Sequence, residues 1–235
     1  LPIERDGALG PYSTLTAIKA PLGPHRREQT NVRPHHNPLD RTGRFFYLPC
    51  KGADCVIGYR LDRRRGVLVE ASRGAARPGA GPRHIDFHPT GAFAYVINEL
   101  DSTITTYRQD RRSGRLAPLQ TIPSTPPDFT GYSTGAEIWI DRPGRAVYVS
   151  NRGHDSIGVF AIDRRTGTLS PKQWVPTHGG VPRFFTFDPA QRFLFVANQG
   201  GDLVVVYRVR RNGLLAPTQA RVKGGSPACI VFRQW

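Results

Sequence analysis

The sequence predicts an all-β protein, a β-propeller of four-stranded blades. Two observations predict it. A block recurs along the chain at a spacing of roughly 47 to 53 residues, the size of one such blade. Within each block, short apolar runs alternate with turn residues, as they do in an antiparallel meander. The composition agrees. Hydrophobic residues make up 38% of the chain, and 25 Gly and 21 Pro are dispersed along it. That mix suits short strands joined by turns better than helices.

Three copies of the block are clear: residues 81–96, 135–149 and 181–196. An earlier, weaker copy covers 33–48. Each opens with a short apolar strand, the innermost of its blade. The strand ends in a turn such as His88-Pro89-Thr90-Gly91 or Asp141-Arg142-Pro143-Gly144, and Asp40, His88, Asp141 and Asp188 hold equivalent places. A second strand follows, Phe93 to Ile97 or Ala146 to Ser150. Next comes a polar loop ending at Asp54, Asp101, Asp155 or Asp202. Because these acids recur in every copy, they are read as fixing a turn. A third strand alternates, as in Ile157 to Ile162 and Leu203 to Tyr207. A hairpin turn closes it: Asp62 to Gly66, Asp110 to Gly114, Asp163 to Gly167, and Arg210 to Gly213. Asp or Asn with a following Gly suits such turns, since both tolerate left-handed backbone angles. A weaker fourth strand, such as Leu116 to Ile122, finishes the unit.

The copies give four nearly complete blades, at about 32–78, 81–124, 135–177 and 181–223. Residues 224–235 begin another, with an innermost strand at 224–232, and 1–21 read as outer strands of one before. About five blades are thus represented in a single domain, 1–235. A propeller closes into a ring that protects its terminal edges. The expectation is therefore that N-terminal blades are missing. The absence of any Met points the same way, to a processed chain or a fragment.

Composition narrows the function classes. No apolar run approaches the roughly 20 residues of a membrane helix, and the start is not a basic segment followed by an apolar one. Cys50, Cys55 and Cys229 read as small buried hydrophobes of a reducing, cytoplasmic compartment rather than a disulfide framework. They lack zinc-finger spacing with histidines, and neither metal nor cofactor is expected. The formal charge of +15 favours an anionic partner. Its arginines fall largely in the turns, including Arg63–Arg65, Arg111, Arg112, Arg164, Arg165, Arg210 and Arg211, with Arg41, Arg44, Arg142, Arg145 and Arg192. These turns carry no aromatics for base stacking and no groove-reading element, so nucleic acid is not expected. We read them as a solvated rim.

Strand direction alternates within a blade. The starts of the inner strands and the loops after the second strands therefore share one face. The basic turns lie on the other. The first face receives His35, His36, Arg83, His84, Glu137 and Arg183 from strand starts. It receives Lys51, Glu99, Arg152, His154, Asp155 and Gln199 from loops. Inner strands line a central channel, so these groups are expected to converge at one channel mouth. Glu137 occupies a place held by His36, His84 and Phe184 in other copies, so no repeat-wide structural role explains it. His25, His88 and His178 read as structural or solvated, and His154, a loop histidine, suits turn capping.

Several segments resemble a known family. Gly-Pro-Arg-His at 81–84, Asn-Glu-Leu at 98–100, Ala-Glu-Ile at 136–138, Ser-Asn-Arg-Gly-His-Asp-Ser-Ile at 150–157, Pro-Arg-Phe at 182–184 and Ala-Asn-Gln at 197–199 are similar to the seven-bladed propeller lactonases. That group includes propeller-type 6-phosphogluconolactonase, of the pentose phosphate pathway of carbohydrate metabolism, and carboxy-muconate cyclase. The resemblance implies seven blades when complete, and hydrolysis of a sugar lactone, with 6-phosphogluconolactone foremost. It implies catalytic roles for His84, Glu137 and Arg183. Arg83, Glu99, Arg152, His154, Gln199 and His36 are the expected substrate-binding residues. The chemistry suits those types: a guanidinium stabilises the oxyanion of ring opening, and a carboxylate or imidazole takes a proton from water. Two alternatives remain, a lactonising cyclase acting on a muconate-type diacid, and a non-catalytic platform that binds an acidic partner on its basic face.

Overall fold

The computed structural model describes residues 2–12 and 14–233. Fifteen strands form four antiparallel sheets, each a simple meander. The first sheet holds β1 (Phe45–Cys50), β2 (Cys55–Asp62) and β3 (Val67–Ala75). The second holds β4 (Pro82–Phe87), β5 (Phe93–Asn98), β6 (Thr103–Gln109) and β7 (Leu116–Pro123). The third holds β8 (Thr134–Ile140), β9 (Ala146–Arg152), β10 (Ser156–Ile162) and β11 (Leu169–Pro176). The fourth holds β12 (Pro182–Phe187), β13 (Phe193–Asn198), β14 (Leu203–Val209) and β15 (Leu215–Lys223). One 3-10 turn at Gln199–Gly201 is the sole helical element among the described residues.

Each sheet is too thin to bury its own faces, so neighbours stack. The core accordingly falls into layers between sheets. One cluster joins the first and second sheets through Phe45, Tyr47, Phe87 and Tyr107. A second joins the second and third through Tyr95, Ile97, Val147 and Phe160. A third joins the third and fourth through Tyr148, Val159, Phe185 and Tyr207.

A polar bolt repeats at every one of these layers. A tyrosine of β1, β5 or β9 donates its hydroxyl to a glycine carbonyl in a hairpin turn of the next sheet. Tyr47 meets Gly114 at 2.7 Å, Tyr95 meets Gly167 at 2.9 Å, and Tyr148 meets Gly213 at 2.6 Å. All three rings are fully buried, so the bond satisfies a hydroxyl that would otherwise be stranded. All three glycines have positive φ, which suits the turn to glycine.

Four expectations about strands and loops need correction. The first blade is three-stranded. Its inner segment pairs only through isolated bridges, Pro34 to Cys50 and Leu39 to Phe46, because Pro34 and Pro38 have no N–H to give a ladder. Residues 224–233 form no strand, although Phe232 packs edge-on against Phe195 of β13. Within 2–12 and 14–21 the expected outer strands reduce to one bridge, Ile3 to Leu9, while Ile18 and Ala20 pack on the first sheet. Finally, the repeated left-handed loop residue is Asp54, Ser102, Asp155 and Asp202, so the counterpart of the other three is Ser102 and not Asp101.

Cys50 and Cys55 face each other across the β1–β2 hairpin and are free and buried. Cys229 is exposed, contrary to expectation, because it lies in the strandless 224–233 segment.

Candidate active site

The inner strands β4, β8 and β12 pack against one another in turn. Each carries a bulge where the sequence sets an ionisable residue. The ladder of β4 slips between Pro82 and His84, leaving Arg83 unpaired. That of β12 slips between Pro182 and Phe184, leaving Arg183. In β8 the slip runs from Gly135 to Ile138, leaving Ala136 and Glu137. A bulge releases a residue from strict alternation and re-aims its side chain. Gly135 is required here: a Cβ on it would sit 2.5 Å from the Asn98 carbonyl oxygen and 2.6 Å from Ile97 Cγ1. The close approach brings β8 against β5 and sets Glu137 beside His84.

A row of three side chains results. His84 Nδ1 lies 2.7 Å from Glu137 Oε1, and His84 Nε2 lies 3.2 Å from His35 Nδ1. His36 stacks on the His84 ring at 4.4 Å between centroids and 20° between planes. The Ile85 N–H donates to His36 Nδ1, which fixes that ring. The Glu137 carboxyl accepts the Ile138 N–H at 3.0 Å, and the Glu137 N–H is bound to Ser150 Oγ.

The environment sets the protonation states. Glu137 is 3% exposed, and burial pushes its carboxyl up to about 7, against the pull of the Ile138 N–H and the Arg83 charge. Burial, followed by the charges of Arg83 and Arg183, pushes His84 down to about 3. His35 and His36 are held at about 4, again chiefly by burial. Near neutral pH the His84–Glu137 contact is therefore a hydrogen bond about a neutral imidazole, with the Glu137 carboxyl raised towards neutrality. That is the protonation range a general acid or base needs.

A second cluster stands behind the first. Glu99 Oε1 takes Lys51 Nζ at 2.7 Å, while Oε2 lies 3.0 Å from Arg83 Nε and 3.4 Å from Arg152. Lys51 also pairs with Glu28 at 2.9 Å. Burial alone would raise the Glu99 carboxyl, but Lys51, Arg152 and Arg83 together hold it below its ordinary value. Arg83 is 2% exposed and also donates to the Ala136 carbonyl at the β8 bulge. Arg152 donates to Gly135 O at the same bulge. The two guanidiniums thus clamp the backbone that carries Glu137.

A cavity of about 420 Å³ opens beside these groups, lined by His36, His84, Glu137, Asp86, Trp139 and Phe184 among others. Asp86 was missed in the sequence. It accepts the Ile140 N–H, and burial raises its carboxyl to about 6 despite Arg41 at 3.3 Å. A carboxylate inside an apolar inner strand was the available signal. Glu28, also missed, sits in an irregular segment with no motif.

The structure brings His36, Arg83, His84, Glu99, Glu137 and Arg152 together. Arg183 is half-buried, makes no hydrogen bond or ion pair among the described residues, and is close enough to His84 to depress it. His154 stands apart, bonded to Ser156 Oγ at 2.6 Å and set edge-on to Phe129 at 4.7 Å, as a turn cap would be. Gln199 opens the 3-10 turn, with its N–H on Val181 O and no side-chain hydrogen bond among the described residues. Asp155 caps turns at Gly153 and Val181. No group of three or more His, Cys, Asp or Glu among the described residues is placed to hold a metal ion. No helix among them is long and apolar enough to cross a membrane.

Known proteins share this arrangement of chain. The 6-phosphogluconolactonase of Bacillus subtilis (strain 168) is 37% identical over 98% of the chain and 65% of its own length. Among solved structures, a protein from Lactobacillus plantarum superposes with a TM-score of 0.90 at 32% identity, covering 97% of this chain and 65% of that one. The periplasmic gluconolactonase PpgL of Pseudomonas aeruginosa gives 0.88 at 30% identity, covering 97% and 64%. The chain thus spans 65% of the length of the Bacillus relative. The family described as lactonase, 7-bladed beta-propeller, matches residues 1–232, and with four stacked meander sheets in place the chain belongs to that family.

Proposed function

We propose that this chain carries the hydrolytic site of a sugar lactonase, with 6-phosphogluconolactone as substrate. The observation that carries the reading is the His84–Glu137 pair at 2.7 Å beside the cavity, with Arg183 unpaired near it. The named activity of the Bacillus subtilis relative supports the substrate. In this reading a water attacks the lactone carbonyl carbon. The Glu137 carboxylate takes the water's proton, directly or through His84. Negative charge collects on the carbonyl oxygen, where Arg183 stabilises it. The ring C–O bond then breaks, and the proton held by the His84–Glu137 pair passes to the leaving alkoxide. The result is the open hydroxy acid, with the pair restored.

Arg83 and Arg152 act in this reading through position and field. They clamp the β8 bulge and help keep His84 neutral. Glu99 and Lys51 hold those guanidiniums in place. The catalytic groups remain His84, Glu137 and Arg183, with His36 fixing the His84 ring plane. His154 and Gln199 have no part in the step. Cytoplasmic placement belongs to the same proposal and is tested by cell fractionation. The experiment for the reaction compares ring opening of 6-phosphogluconolactone with its spontaneous rate, beside a muconate-type diacid. Acceleration of the sugar lactone alone supports the reading. Acceleration of the diacid alone assigns the cyclase reaction instead, and acceleration of neither leaves the platform role.

A further inference from the structure

The arginine-rich face opposite the candidate site is not uniform. Four of its arginines are tied to backbone carbonyls of the next sheet. Arg41 donates to Phe87 O, Arg44 to Arg111 O, Arg142 to Pro189 O and Arg145 to Arg211 O, while Arg111 binds Thr90 O within its own sheet. The four cross-sheet bonds are latches between neighbouring sheets.

One place breaks the pattern. In the first three sheets the hairpin before the outermost strand opens with an aspartate. Asp62, Asp110 and Asp163 each accept backbone N–H groups of their own turn. In the fourth sheet that position is Arg210. The turn therefore has no capping carboxylate and carries two adjacent arginines, Arg210 and Arg211. Both border a cavity of about 320 Å³ between the third and fourth sheets, and Arg192 borders it too. The side chains of Arg192, Arg210 and Arg211 make no hydrogen bond or ion pair among the described residues. The one acid lining the cavity is Asp141. Its Oδ1 already accepts the N–H groups of Arg145 and Ala146, and its Oδ2 lies 3.8 Å from Arg145 Nε.

Three unpaired guanidiniums around one concavity repel each other and are left without a carboxylate to neutralise them. A tetrahedral oxyanion answers both conditions, because guanidinium forks match its geometry. We propose that this cavity is a second binding site, for a doubly charged phosphate group on a small molecule. It is separate from the candidate active site and lies on the opposite face.

The test uses inorganic phosphate as the probe, titrated into the 235-residue chain by calorimetry at constant ionic strength set with chloride. The informative variant is Arg210→Asp. It restores the residue type that caps the other three hairpins, so folding is expected to be kept or improved, and a thermal melt checks this. The proposal expects saturable binding that falls at least tenfold in Arg210→Asp and in Arg192→Ala. It expects binding to persist in Arg183→Ala, and the lactone-opening rate of Arg210→Asp to match that of the parent. Three results overturn it: no saturable binding beyond the chloride control, equal binding by Arg210→Asp, or a loss confined to Arg183→Ala, which moves the phosphate to the other face.

Discussion

His84 Nδ1 and Glu137 Oε1 meet at 2.7 Å although 53 residues separate them along the chain. The contact spans two adjacent sheets, one partner from β4 and the other from the β8 bulge. It exists only because the sheets stack in register, so the stacking that makes the core also brings this pair together. Glu137 is buried and His84 largely so, and this desolvation pushes their pKa values in opposite senses, Glu137 to about 7 and His84 to about 3.

Those shifts give stability a defined pH dependence. Glu137 binds its proton more tightly folded than unfolded. Its contribution is therefore present below its ordinary value of 4.5 and is lost as pH rises towards about 7. His35, His36 and His84 do the reverse. Unfolding lets them take protons below their ordinary value of 6.5, so the stability they give is full above 6.5 and is lost as pH falls towards 4. Urea unfolding between pH 4.5 and 8 is expected to show both limbs. Glu137→Gln removes the alkaline decline, and His36→Gln makes the acid decline shallower.

The Glu99 cluster is the most sensitive point in the charge network. Lys51, Arg83 and Arg152 all lie within 3.4 Å of its carboxylate. Glu99→Gln leaves these cations without their shared counter-charge, and breaking a buried pair in this way costs about 3–5 kcal/mol. Lys51→Met removes one cation of three and is expected to cost less. Thermal melts of the two variants check the order.

Much of this was legible in the sequence. The repeat predicted the meander sheets, and strand alternation put His84, Glu137 and Arg83 on one face. What it could not supply was the ladder slips at Arg83, Glu137 and Arg183, because a bulge depends on cross-strand register and not on local composition. The direction of the His154 side chain was not legible for a related reason. A signature loop looks the same in sequence whether its histidine faces the cavity or caps its own turn through Ser156. The end segments failed differently: an apolar run reads as a strand, but a strand exists only beside a partner.

Gly135→Ala tests the bulge. The added Cβ meets the Asn98 carbonyl oxygen, a backbone atom that cannot swing away. β8 must shift at its start, and Glu137 shifts with it. The variant is expected to fold with a loss of about 1–3 kcal/mol and to lose more lactonase activity than its stability loss explains. Activity measured well below its melting temperature separates the two effects.

His154→Ala is the complementary control. Its side chain touches Ser156 and Phe129 and none of the clustered groups. The rate on 6-phosphogluconolactone is expected to stay within about twofold of the parent, with a fall in melting temperature as the sole readout of the lost cap. A large drop in kcat with unchanged stability places His154 in the site after all.

The most direct test is the pH profile of kcat/KM for 6-phosphogluconolactone, corrected for spontaneous opening, in the parent chain and in Glu137→Gln. The account predicts a rate that rises with pH through about 7, where Glu137 ionises. It predicts that Glu137→Gln lowers the rate by on the order of 10²–10⁴ and abolishes that limb. A profile that keeps its limb in Glu137→Gln, at a rate near that of the parent, would contradict it.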